Sequence, residues 1–118
     1  MDAGVLIYCF DTEQTKYSRL AKRSIYLIKK NLKLPVTVVT DADTRKDLNF
    51  VDVDYKIVNK NTNNFRYYRG KNIPWYNMER ANAFDYSPYE KTILLDCDYM
   101  CFTDNLLELL NTDYDFLL

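Results

Sequence analysis

The sequence predicts an α/β domain built on an open, mostly parallel sheet flanked by helices, and three features carry that prediction. Gly4 to Phe10 is an unbroken apolar run, the pattern of a strand buried on both faces. A helical stretch follows it, and then a second apolar run, Val36 to Thr40. Late in the chain a third run, Thr92 to Leu95, ends in the acidic pattern Asp96-Cys97-Asp98. Strand, helix and strand in that order build a right-handed parallel unit.

Taken in order, the first strand breaks at Asp11-Thr12-Glu13. The spacing of Tyr17, Leu20, Ala21, Ser24, Ile28 and Leu32 predicts a helix from about Thr15 to Asn31. Lys16, Arg19, Lys22, Arg23, Lys29 and Lys30 decorate its other side, which reads as a solvated surface. Pro35 stops that region ahead of the second strand. Asp41-Ala42-Asp43 reads as a turn, with a short helix expected over Thr44 to Leu48.

Val53 to Val58 alternates and predicts a third strand. Asn59 to Pro74 is polar and Asn-rich, and it reads as a long irregular loop bordering a phosphate-bearing substrate or lying exposed. A helix is expected over Trp75 to Tyr86, ended by Ser87-Pro88. The Thr92–Leu95 strand comes next, then Asp104-Asn105 opening a short helical stretch, Leu106 to Leu110. The final residues, Tyr114 to Leu118, read as the start of another strand.

Composition excludes several classes. With 16 basic and 17 acidic residues the net charge is −1, so total charge makes no case for nucleic acid or membrane binding. No apolar stretch reaches the ~20 residues of a membrane span, and the first residues carry no signal-peptide pattern. The odd set Cys9, Cys97 and Cys101 has no metal-ligand spacing, and reduced thiols in a cytoplasmic setting are expected. There is no His, which removes Ser-His-Asp and Cys-His catalysis from this chain.

The acidic pattern is the candidate site. Asp96 and Asp98 stand where a strand gives way to a loop, so both carboxylates can turn toward one point. In open α/β sheets ligands bind beyond the carboxyl ends of the strands. Hard oxygen donors there suit Mg²⁺ or Mn²⁺, which fill their remaining positions with water and phosphate oxygens. The competing reading is structural, because Asp after a strand also caps turns.

Tyr89-Glu90-Lys91-Thr92-Ile93-Leu94-Leu95-Asp96-Cys97-Asp98, followed by Phe102-Thr103-Asp104-Asn105-Leu106, resembles the central motif of GT-A glycosyltransferases. It is most similar to glycosyltransferase family 8, which includes glycogenin and bacterial lipopolysaccharide galactosyltransferases. Glu90 stands where that family has Asp before Lys, and Thr103 where it often has Gly. The resemblance implies a Rossmann-like GT-A fold and a retaining hexosyltransferase. Its donor would be a nucleotide-diphosphate sugar, with UDP the expected nucleotide, and its acceptor an unnamed glycan or protein.

The same resemblance implies roles for single residues. Asp96 and Asp98 would hold the metal, with Asp96 also facing the donor. Arg80 would approach the diphosphate or the donor sugar. Asp11 matches the family's base-contacting Asp, Glu13 falls where an Asn is common, and Cys9 and Phe10 would line the same pocket. Thr12 replaces a second family Asp. At 118 residues the chain reads as a single, partial GT-A domain, 1–118, that lacks the family's late metal-binding His and its acceptor half. A partner chain or a missing C-terminal half would complete it.

Two other readings compete. A non-catalytic nucleotide-fold binding module is one. A haloacid-dehalogenase-like phosphatase, with one Asp as nucleophile, is the other, although Tyr99-Met100 follows the motif here where that class has small residues.

Overall fold

The computed structural model describes residues 3–50, 52–58, 65–68, 70–74 and 83–111. Among them, strands β1 (Ala3–Cys9), β2 (Val36–Thr40), β3 (Asp54–Ile57) and β6 (Lys91–Asp96) form one sheet in the order β3-β2-β1-β6. Every pairing in that sheet is parallel. Two further strands, β4 (Phe65–Tyr68) and β5 (Lys71–Pro74), make a separate antiparallel ribbon. The helices are α1 (Tyr17–Asn31), the single turn α2 (Ala42–Arg45) and α3 (Ala83–Tyr86), and a 3₁₀ segment spans Asn105–Asn111.

The apolar runs become strands because they are covered on both sides. Val5, Ile7 and Cys9 of β1, with Val36 and Val38 of β2 and Ile93 of β6, pack against Ala21, Ile25 and Ile28 of α1. Ile25 and Ile28 are fully buried, and each such side chain stabilises the fold by about 1.5–3 kcal/mol. Leu6, Tyr8, Phe10 and Val39 point to the opposite face, where Val58 and Tyr86 cover them. Tyr86 of α3 meets Tyr8 at 6.5 Å between ring centroids, tilted by 50°. The elements around α1 and α3 therefore flank opposite faces, as in a doubly wound sheet.

Gly4 has a specific reason to be glycine. The Tyr89 ring lies over it, and a Cβ there would run into that ring. The Tyr89 hydroxyl reaches the Thr37 hydroxyl at 2.7 Å, which fixes the ring across β1 and β2.

Several expectations need correction. β1 begins at Ala3, α1 begins at Tyr17 rather than Thr15, and α2 covers Ala42–Arg45 rather than Thr44 to Leu48. The predicted irregular loop contains the β4–β5 ribbon, closed beside Gly70 at φ 77°. Phe65 to Tyr68 is rich in aromatic residues that favour strands, and the positive φ is one glycine takes without strain. Of the expected Trp75–Tyr86 helix, Ala83–Tyr86 is helical and ends before Ser87-Pro88; its earlier part and the expected strand over Tyr114 to Leu118 lie outside the described residues.

Candidate functional site

The site is organised by strand order. β1 sits in the interior of the sheet, with β2 on one side and β6 on the other. The chain leaves β1 through α1 to reach β2, and returns much later to β6 on the opposite flank. The strand order therefore reverses between β1 and β6. Connections leaving in opposite directions open a crevice at their carboxyl ends, the usual ligand position in such sheets.

Two sequence-predicted residues, Asp96 and Asp98, stand at the carboxyl end of β6 beside that reversal. Asp96 is the last residue of β6 and is paired in register with Tyr8 of β1. It therefore belongs to the strand itself, whereas the sequence places it just beyond. Strand pairing fixes its backbone against β1, so the first carboxylate is held on a rigid element. A turn follows, closed by the Tyr99 N–H donating to the Asp96 carbonyl at 3.1 Å. Asp96 and Asp98 are both exposed, while Cys97 between them turns inward and is buried.

Cys9 ends β1 one position beyond Tyr8, as Cys97 lies one beyond Asp96, so the two cysteines face each other across the strand pair. Neither forms a disulfide, nor does the buried Cys101. A hydrogen bond with Cys97 and then burial raise the Cys9 thiol far above its ordinary value, and the nearby Asp11 and Asp41 add to the shift. Such a thiol is protonated and inert at neutral pH. Cys9 is thus a packed, uncharged member of the core beneath α1. Phe10 is buried on the opposite face of the sheet from α1.

Asp11 is engaged from within the fold. Its carboxylate accepts the Ser18 backbone N–H at 2.7 Å and the Ser18 hydroxyl at 2.9 Å. Lys16 stands 3.9 Å away. The Asp11 N–H donates to the Thr44 hydroxyl oxygen at 3.0 Å. The carboxylate thereby satisfies a first-turn donor of α1, whose N-cap residue Lys16 makes no side-chain cap bond. Ser18 and Thr44 have no motif that announces them. Only the docking of α1 and α2 beside β1 brings them to Asp11.

Asp41 repeats the device. Its carboxylate accepts the Thr44 N–H at 2.6 Å and caps α2, so the Asp41-Ala42-Asp43 pattern is the turn that the sequence suggests. Asp43 pairs with Lys46 at 3.6 Å across the solvent. Glu13 is exposed in the loop after β1. Arg80 lies outside the described residues.

Among the described residues no group of three or more His, Cys, Asp or Glu forms a metal cage. Two exposed carboxylates remain, and that is the protein contribution Mg²⁺-type ions commonly use when phosphate oxygens complete the shell. Without a cation, exposed acids at this rim would repel a diphosphate. No helix among the described residues is long and apolar enough to cross a membrane. Comparison with protein-family models, with curated proteins and with solved structures returns no match to this chain.

Proposed function

We propose that this chain is the nucleotide-sugar-binding part of a GT-A glycosyltransferase similar to family 8, using Mn²⁺ or Mg²⁺ and a UDP-sugar donor. The observation that carries this reading is the position of Asp96 and Asp98: exposed carboxylates at the end of β6, beside β1, where the strand order reverses. Ligands of open parallel α/β sheets bind at that point, and this supports the reading.

In this reading Asp96, fixed by strand pairing, and Asp98, presented from the turn, bind and orient the metal–diphosphate. A bound divalent ion supplies Lewis-acid stabilisation of the departing nucleoside diphosphate. Arg80 is the proposed second cation for that charge. Cys9 and Phe10 do not share a pocket wall: Cys9 packs into the core beneath α1 and Phe10 into the core on the opposite face, so they support the rim from within. Asp11 acts through position: its bonds to Ser18 shape the loop that the base would meet. The sugar acceptor in this reading is a glycan or a protein.

Calorimetric titration with UDP-glucose and UDP-galactose, with and without Mn²⁺, tests the proposal. Binding that depends on the metal supports it. Metal-independent binding, or none with any nucleotide sugar, replaces it with the non-catalytic module. Phosphate release from p-nitrophenyl phosphate without nucleotide affinity would select the phosphatase instead.

A further inference from the structure

The outward face of α1 is chemically one-sided. Arg19, Lys22, Arg23, Lys30 and Lys33 are exposed along and just after the helix, and Arg19, Arg23, Tyr26, Lys30 and Lys33 recur every three or four residues as one stripe. That stripe lies opposite the buried Ala21, Ser24, Ile25 and Ile28. From Gln14 to Thr40 there is no acidic residue at all. Tyr26 in the middle of the stripe is 50% exposed, and Leu20, at the stripe's flank nearer the helix start, is 38% exposed. The Arg23 guanidinium lies 5.5 Å from the Tyr26 ring centre, so charge and aromatic surface are presented together.

A face that merely keeps a helix soluble mixes signs, because Glu–Lys pairs one turn apart stabilise it and like charges there destabilise it. Here Arg19 and Arg23 repel each other one turn apart, and the helix itself contributes no acid to its first turn, where Asp11 caps it from the preceding loop. Among the described residues, carboxylates reach the cations of this region only at Lys16 and at Lys29, the latter 3.2 Å from Asp52. The arrangement costs helix stability and leaves five cations facing outward. Total charge conceals this, since the sum of −1 averages a cationic helix against acids carried elsewhere.

We propose that the α1 face is a docking surface for an anionic lipid bilayer. Two features favour a bilayer over a nucleic acid. The cations lie along a straight helix, which matches a plane. An exposed Tyr and Leu sit among them, as in helices that rest at the headgroup boundary. Near an acidic leaflet each Lys or Arg strengthens binding by about fivefold. The helix lies on the surface without entering the hydrocarbon, held by charge and by shallow burial of Tyr26.

Co-sedimentation of the full chain with vesicles tests this directly and does not depend on the transferase reading. Phosphatidylcholine vesicles should leave the protein in solution, and an equal mixture with phosphatidylglycerol should pellet it, with release by high salt. Arg23→Glu should weaken pelleting several-fold, whereas Lys46→Glu, which reverses an exposed charge away from this face, should not. Tyr26→Ser should weaken it with the charge unchanged. Arg23→Gln gives a milder change should the reversal disturb folding. Equal pelleting with both vesicle types, indifference to Arg23, or retention on a short duplex RNA with none on acidic vesicles would overturn the proposal.

Discussion

The carboxylate of Asp11 grips both the backbone N–H and the hydroxyl of Ser18, at 2.7 Å and 2.9 Å, across the loop that joins β1 to α1. The contact serves the fold first, since it ties the sheet's carboxyl rim to the start of its principal helix. Asp11→Ala should therefore destabilise the protein by about 1–2 kcal/mol, the cost of a lost cap with a buried partner. Asp11→Asn, which keeps an acceptor, should cost less. Urea midpoints of the three proteins check this, and an unchanged midpoint for Asp11→Ala would contradict the capping role.

The acidic pair at the end of β6 behaves differently because it is exposed. Asp98→Ala should abolish Mn²⁺-dependent binding of UDP-sugar while shifting stability by less than about 0.5 kcal/mol. Asp96→Ala should do the same. Calorimetry and a thermal melt on each variant separate the two effects, and undiminished affinity would remove the metal assignment.

Gly4 and Tyr89 share one space. Gly4→Ala places a methyl group against the Tyr89 ring, and overpacking of that kind costs about 1–3 kcal/mol. Tyr89→Ala also destabilises, because it uncovers β1 and strands the Thr37 hydroxyl. Combined in one chain, the two changes should cost clearly less than their sum, since the second removes the clash that the first creates. Additive losses in chemical denaturation would count against the contact.

The thiol at the end of β1 gives the fold an alkaline limit. Contact with Cys97, then burial, holds Cys9 protonated in the native state well above its ordinary 9.0. The unfolded chain releases that proton near the ordinary value, so the native state binds more protons above it. Stability should then fall as pH rises past about 9, by up to ~1.4 kcal/mol per pH unit from this group. Tyr55, raised from 10.0 chiefly by burial, adds to the fall only at higher pH. Urea unfolding of wild type and Cys9→Ala between neutral pH and pH 10 checks the sign; equal slopes would show that Cys9 is not responsible.

The strands were the most legible part of the chain. Val36–Thr40 has the boundaries that its apolar run suggests, and β1 and β6 differ from expectation by single residues. Residues buried on both faces leave a continuous signal that needs no partner to be read. The β4–β5 ribbon was not legible, because its strands sit in an Asn-rich stretch and depend on pairing with each other around Gly70. The acidic pair was visible as a pattern, whereas the inward turn of Cys97 between its members appears only once β6 pairs with β1.

By itself the sequence determined which segments are apolar enough to be buried and where acids interrupt them, because periodicity and burial are local properties of side chains. Tertiary structure alone decided what those acids do. Strand order sets Asp96 and Asp98 at the reversal point beside β1, while the docking of α1 and α2 commits Asp11 and Asp41 to Ser18 and Thr44. The distinction is one of exposure: Asp96 and Asp98 face solvent at the rim, whereas the carboxylates of Asp11 and Asp41 are buried and accept backbone N–H groups.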